Sequence, residues 1–299
     1  MQRPLPIDNN HRVTADDGTV IAYSVSGEGP ALVLTNGLTT SSFFWKYLRT
    51  GWIAHHRVIT WDLPGHGRSG PARSSLSATI AGQPALLAKV MAAAGVTQAT
   101  QIGWSVGCQV VLEVYRQRPE LCNALITLFG PAEHALRNTA LPVPGSWLEA
   151  LLGHSRGTYF AMLVQRLAQA ATLPGAAAVL RKTGIIGEDT STADLRQLIN
   201  DLGAVHSSTG RRMAVSAEAH SAWDVLGAVH VPYLIMAGDR DAFAPPRRVA
   251  MRMHGASPGS ELVRLPRATH TALLDHADQI AVVIDDFIRR RVANAQIAP

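Results

Sequence analysis

Three side chains suited to nucleophilic catalysis stand in order along this chain: Ser105, one of the pair Asp239 and Asp241, and His270. Ser105 is the centre of Gly103-Trp104-Ser105-Val106-Gly107. Two residues without side chains beside one hydroxyl fit a strand that turns sharply into a helix, where strand and helix crowd together and leave no room for a Cβ. Such a turn strains its apex residue and lifts the hydroxyl above the sheet. A hydroxyl is a poor nucleophile until a neutral imidazole accepts its proton. The imidazole needs a buried carboxylate, which fixes its tautomer and stabilises the imidazolium that forms. "PRATHTALLDH" carries the imidazole of His270, and "AGDRDAFAPP" carries the two aspartates. Taken singly, each has a plainer reading as a Gly-rich connection, a turn aspartate or a capping histidine. Their order and their common position at strand ends argue for the chemistry.

Those strand ends come from the apolar patterning. "VIAYSV" (20–25), "ALVLT" (31–35) and "RVITW" (57–61) are short, β-branched or alternating, and bounded by Gly and Pro. Residues 76–95 have helical spacing, which Pro84 must kink or interrupt. "ATQIG" (99–103) reads as a strand, and 105–117 as a helix with Pro119 beyond its end. "ALITL" (124–128), "YLIMA" (233–237) and "ELVRL" (261–265) are further strands, and the last helix runs from about His276 to Arg291. Antiparallel strands followed by alternating β and α units predict an α/β fold, a mostly parallel sheet with helices on both faces. Ligands of such sheets bind beyond the carboxyl ends of the strands, where Ser105, the aspartates and His270 all fall.

Residues 133–222 break the alternation. They hold Pro-Val-Pro and Leu-Pro-Gly interruptions and amphipathic segments such as "TYFAMLVQRLAQAA" and "TADLRQLINDLGAV", with no convincing strand. The expected organisation is a core of residues 1–132 and 223–299, with 133–222 inserted as a helical cap over the carboxyl edge of the sheet.

Composition narrows the class. Hydrophobic residues make up 47% and charged residues 16%, which excludes a disordered chain. No apolar run reaches the roughly 18 residues of a membrane span. "MQRPLPIDNNHRV" lacks the apolar region of a secretory signal, so the expected compartment is the cytoplasm. Cys108 and Cys122 are too few for a disulfide framework or a four-cysteine zinc site and are expected to be buried apolar residues. The net charge of +5 is spread over scattered arginines without an aromatic-interleaved basic stripe, which argues against a nucleic-acid partner.

"LTNGLTTSSFFW", "DLPGHGRS", "GWSVGC", "GDRDAFAPP" and "ATHTALLDH" together resemble the α/β-hydrolase family in its capped branch. The resemblance covers nearly the whole chain outside the insertion. It implies an eight-stranded sheet and a catalytic triad of Ser105, Asp241 and His270, since the family's G-x-x-D-x-x-x-P pattern maps onto Gly238, Asp241 and Pro245. Asp239 is then a turn residue. The implied oxyanion donors are the backbone N–H groups of Val106 and Leu38. The chain departs from the family at Asn36-Gly37, where a His-Gly pair is usual, and Asn36 either braces that loop or faces the substrate. Asn-Gly also signals a hairpin, but "SSFFWKYL" after it reads as helix. Asp62 and His66, in "WDLPGHGRSG", are expected to be scaffold. Trp45, Trp104 and Trp147 suggest an apolar pocket.

The resemblance implies a serine hydrolase acting on an ester or lactone of a small, largely apolar substrate, with no metal or organic cofactor and no membrane or nucleic-acid partner. Dehalogenases and epoxide hydrolases of this fold carry an aspartate at the apex, where this chain has Ser105. Carbon–carbon bond hydrolases, perhydrolase or haloperoxidase-type enzymes and cofactor-free oxygenases remain as alternatives, and a non-catalytic receptor of the same fold is another.

Overall fold

The computed structural model describes residues 10–140 and 175–293. The segment "TYFAMLVQRLAQAA", the Pro142-Val143-Pro144 break and Trp147 lie outside the described residues. Eight strands form one sheet: β1 (His11–Thr14), β2 (Val20–Ser26), β3 (Ala31–Thr35), β4 (Arg57–Trp61), β5 (Ala99–Trp104), β6 (Cys122–Leu128), β7 (Tyr233–Gly238) and β8 (Ser260–Leu265). Their order across the sheet is β1-β2-β4-β3-β5-β6-β7-β8. β1 and β2 pair antiparallel, as do β2 and β4, and every later pairing is parallel. β5 and β7 are buried along their whole length. β7 is a near-continuous apolar run, as suits a strand covered on both faces, whereas β5 also buries Thr100 and Gln101. β1 escapes the sequence reading for the opposite reason: it is a short, mostly exposed edge strand with little apolar pattern.

Helices cover both faces. α1 (Lys46–Trp52), α2 (Gln83–Ala93) and α3 (Gly107–Gln117) precede the insertion. Leu86, Val90, Val110 and Val114 fill one apolar cluster, while Phe44, Trp45, Ile280 and Phe287 belong to the other. Pro84 does not kink a long helix. Residues Leu76–Ala78 and Ile80–Gly82 form 3₁₀ turns, and α2 begins at Gln83 with Pro84 in its first turn. A proline costs nothing there, because the N–H it lacks would have no intrahelical partner. "SSFFWKYL" is helical as expected, a 3₁₀ turn at Ser42–Trp45 running into α1, so Asn36-Gly37 closes no hairpin.

The stretch 133–222 holds α4 (Ala176–Lys182), α5 (Thr192–Ala204) and α6 (Ser207–Ala219). Among its described residues there is no strand, only an isolated bridge between Glu133 and Ser221. The two ends of that stretch run side by side: Ala222 N–H donates to the Ala132 carbonyl at 2.9 Å and His134 N–H to that of His220 at 3.1 Å. α6 packs on the core through buried Met213 and Ala217, and Gln109 Nε2 donates to the Ala217 carbonyl at 2.8 Å. α7 (Trp223–Leu226) leads into β7, and after β7 come α8 (Ala250–Ala256), α9 (Ala272–Asp275) and α10 (Ala277–Phe287), the last running into a π-helical stretch at Ile288–Ala293. No helix among the described residues is long and apolar enough to cross a membrane.

Candidate active site

β5 ends at Trp104 and α3 begins at Gly107, so only Ser105 and Val106 make the turn. Ser105 takes φ +57°, a left-handed conformation that costs a residue with a Cβ of order 1 kcal/mol. The neighbouring hydrogen bonds hold it there: Ser105 N–H donates to the Leu128 carbonyl at 3.0 Å, and Cys108 N–H to the Ser105 carbonyl at 2.9 Å. Both flanking glycines are sterically required. A Cβ on Gly103 would lie 2.3 Å from the Gly107 carbonyl oxygen, and one on Gly107 would lie 2.4 Å from that of Thr35. The β3 loop presses equally close, since a Cβ on Gly37 would lie 2.8 Å from Ser105 Cβ.

The three expected side chains meet at this turn. His270 Nε2 is 2.9 Å from Ser105 Oγ, and its Nδ1 is 2.9 Å from Asp241 Oδ2 and 3.1 Å from Oδ1. Asp241 is buried, and its Oδ1 also accepts the N–H groups of Phe243 at 2.8 Å and Ala244 at 2.9 Å. These bonds fix the carboxylate in the turn after β7. Asp239 points elsewhere: its Oδ1 accepts from Arg264 Nε at 2.8 Å, in a partly exposed ion pair. Ser105 itself stays partly exposed.

Leu38, beside Gly37, and Val106 border the serine. Among the described residues, no carbonyl or side chain accepts the N–H of either. Of the two places open to Asn36, bracing the loop or lining a pocket, it takes the first. It is fully buried, with Nδ2 donating to the Trp61 carbonyl at 3.1 Å and Oδ1 accepting from Trp45 Nε1 at 2.6 Å. Its amide is consumed in bracing the β3 loop, so it does not face a substrate. Trp104 departs from the pocket expected for it. Its indole is 3% exposed, stacks on Phe44 at 4.2 Å and donates from Nε1 to the His270 carbonyl at 3.0 Å. It supports the histidine's backbone and contributes little surface to a pocket.

Phe243, whose role the sequence did not signal, sets its ring 4.8 Å from that of His270. Asp62 is scaffold: Oδ1 accepts from Ser42 N–H and Oγ, both at 2.8 Å, and Oδ2 from Arg68 N–H at 3.0 Å. His66 is buried, its Nδ1 donating to the Pro64 carbonyl at 2.9 Å, and burial holds its imidazole below the usual range against the pull of that bond and of Asp62. Cys108 and Cys122 are free and buried. Burial pushes both thiols up, Cys122 to about 12, so neither competes with Ser105 as a nucleophile.

The family model of the alpha/beta hydrolase fold matches residues 30–277. The chain belongs to the alpha/beta hydrolase fold family. Among members of the family, a pimeloyl-[acyl-carrier protein] methyl ester esterase from Neisseria meningitidis is 29% identical over 263 residues, covering 81% of this chain and 92% of its own. The esterase of the same name from Serratia marcescens is 26% identical over 277 residues, covering 90% of this chain and 98% of its own. Solved α/β hydrolases share the fold. A putative aryl esterase from Burkholderia cenocepacia superposes with a TM-score of 0.74 at 19% identity, covering 93% of this chain and 97% of its own. The enol-lactonase from Burkholderia xenovorans LB400 does so with a TM-score of 0.71 at 19% identity, covering 94% and 100%.

Proposed function

We propose that this α/β hydrolase is a serine hydrolase that cleaves a carboxylic ester or lactone of a small, largely apolar substrate through an acyl-enzyme. The observation that carries this reading is the continuous chain Ser105 Oγ–His270–Asp241, each link 2.9 Å, at the carboxyl edge of the sheet. As Ser105 Oγ attacks the carbonyl carbon, His270 Nε2 takes its proton, and Asp241 holds the imidazolium through Nδ1. The N–H groups of Leu38 and Val106, without an acceptor among the described residues, receive the negative charge on the carbonyl oxygen. The proton on Nε2 then passes to the departing alkoxide, and His270 activates water to cleave the acyl-enzyme. No metal or cofactor takes part in these steps. The two relatives from Neisseria meningitidis and Serratia marcescens, both methyl ester esterases by name, agree with this chemistry.

Residues 133–222 act as a cap that governs access to Ser105. The side-by-side exit and return at Ala132 and Ala222, and the absence of strands among the insertion's described residues, support this division. So do the ties to the core, where Asp194 accepts from Tyr47 Oη at 2.9 Å and Asp201 Oδ2 from Ser41 N–H at 2.8 Å. The free thiols fit a reducing cytoplasm.

The test is a fluorophosphonate probe together with p-nitrophenyl esters and lactones of graded chain length. The probe should bond to Ser105 with stoichiometric loss of turnover, and Ser105→Ala should lose about 10⁶ in kcat. Label on another residue, or near-wild-type hydrolysis by the alanine variant, would overturn the reading. A receptor would take up the label with no turnover to lose.

A further inference from the structure

At the amino end of β4, the turn that follows α1 carries two adjacent histidines, His55 and His56, that face Asp285 on α10. One ligand atom from each of the three lies within 4.8 Å of the other two. We propose that His55, His56 and Asp285 form a binding site for a divalent transition-metal ion of the Zn²⁺ type, separate from the catalytic serine. Two imidazoles and a carboxylate are a donor set that suits such an ion, with water completing the coordination. Around Zn²⁺ such donors stand about 3.4 Å apart, so the set need close only slightly. His55 is exposed and free to make that adjustment.

The surroundings are those of a metal centre in two respects. Buried His56 has its Nδ1 3.3 Å from the Pro30 carbonyl, to which it donates, leaving Nε2 as an acceptor. Asp285 Oδ1 accepts from Trp52 Nε1 at 2.8 Å, leaving Oδ2 free. Metal-binding histidines and carboxylates are held by outer partners of this kind. Trp52 joins the two halves, because its carbonyl also accepts the N–H groups of His55 at 3.1 Å and His56 at 2.8 Å. One residue thus orients both histidine backbones and the carboxylate.

The site lies at the amino end of β4, whereas Ser105 follows the carboxyl end of β5, two strands away in a sheet that is parallel there. About 20 Å of strand separates the two ends. An ion here clips the α1–β4 turn to α10 and stabilises the fold, taking no part in ester cleavage.

The experiment uses the full chain without a histidine tag, stripped with a chelator and titrated with Zn²⁺ by calorimetry and thermal unfolding. One ion should bind per chain, and free Zn²⁺ at about 100 times Kd should raise Tm by roughly 5 °C. His55→Ala and Asp285→Asn should each weaken binding by more than about 100-fold. Without zinc, both should unfold close to the wild-type temperature, since His55 is exposed and an asparagine still accepts from Trp52. Absence of stoichiometric binding, or wild-type affinity in both variants, would overturn the proposal. So would zinc that inhibits hydrolysis and is lost in His270→Ala but retained in His55→Ala, which would place the ion on the active site instead.

Discussion

The Trp104 indole donates to the backbone carbonyl of His270 across 3.0 Å, and the two rings lie 5.1 Å apart. The residue that precedes Ser105 thus holds the loop that carries His270, 166 positions later in the chain. Trp104→Phe keeps the stacking on Phe44 but strands a buried carbonyl, which costs about 1–3 kcal/mol. With His270 less well placed, kcat should fall by roughly 10- to 100-fold while KM changes little. Thermal unfolding and steady-state kinetics on one ester would check both; a lower Tm with unchanged kcat would show that the bond only stabilises.

Asp241→Asn should cost roughly 10⁴ in kcat, because an amide in place of the carboxylate leaves His270 in the wrong tautomer and its imidazolium unsupported. Asp239→Asn removes only a partly exposed pair with Arg264 and should leave kcat unchanged, with stability altered by about 0.5 kcal/mol or less. Equal losses of turnover in the two folded variants would show that the acid has been assigned to the wrong aspartate.

Two glycine-to-alanine substitutions should act in opposite directions. Gly107→Ala forces a methyl to 2.4 Å from the Thr35 carbonyl oxygen and should destabilise by about 1–3 kcal/mol while distorting the serine turn. Gly51→Ala, within α1 and with no atom within 4 Å of the new methyl, should stabilise by about 0.4–1 kcal/mol. Denaturant unfolding of each variant measures the pair; a neutral Gly107→Ala would contradict the packing described here.

Folding stability should depend on pH through His66. Burial lowers its folded pKa below the ordinary 6.5, so the unfolded chain binds more protons between the two values. The stability associated with a neutral His66 is complete above about pH 6.5 and is lost as the pH falls below it. Burial acts on His56 in the same direction. Tm measured at pH 7.5, 6.5 and 5.5 should decline in the wild type and decline less in His66→Asn. An identical slope in both proteins would remove His66 from the account.

Much of the fold was legible because it follows from local rules. β3, β6 and β7 are largely apolar runs bounded by turn residues, and strand–helix alternation then demands a parallel sheet with its reactive positions at one edge. Gly103 and Gly107 announced the turn, since the crowding that excludes a Cβ there is set by the immediate chain. β1 was hidden, as a polar edge strand buries too little to impose a pattern on its residues. Pro84 marked an interruption of the helical run, but spacing alone did not show that the helix proper starts there.

What the sequence determined by itself was therefore the sheet and the identity, order and strand-end positions of Ser105, Asp241 and His270. Tertiary structure decided what their neighbours do. Asn36 and Trp104 have types that suit a pocket, yet the partners that consume their polar atoms, Trp45, Trp61 and the His270 carbonyl, come from other segments of the chain. The same holds for His55, His56 and Asp285, which share no sequence spacing and meet only when α10 packs against the turn before β4. Hydrogen bonds and ligand sets reach across the fold over a few ångströms, and no one-dimensional period records which distant segment will supply the other half.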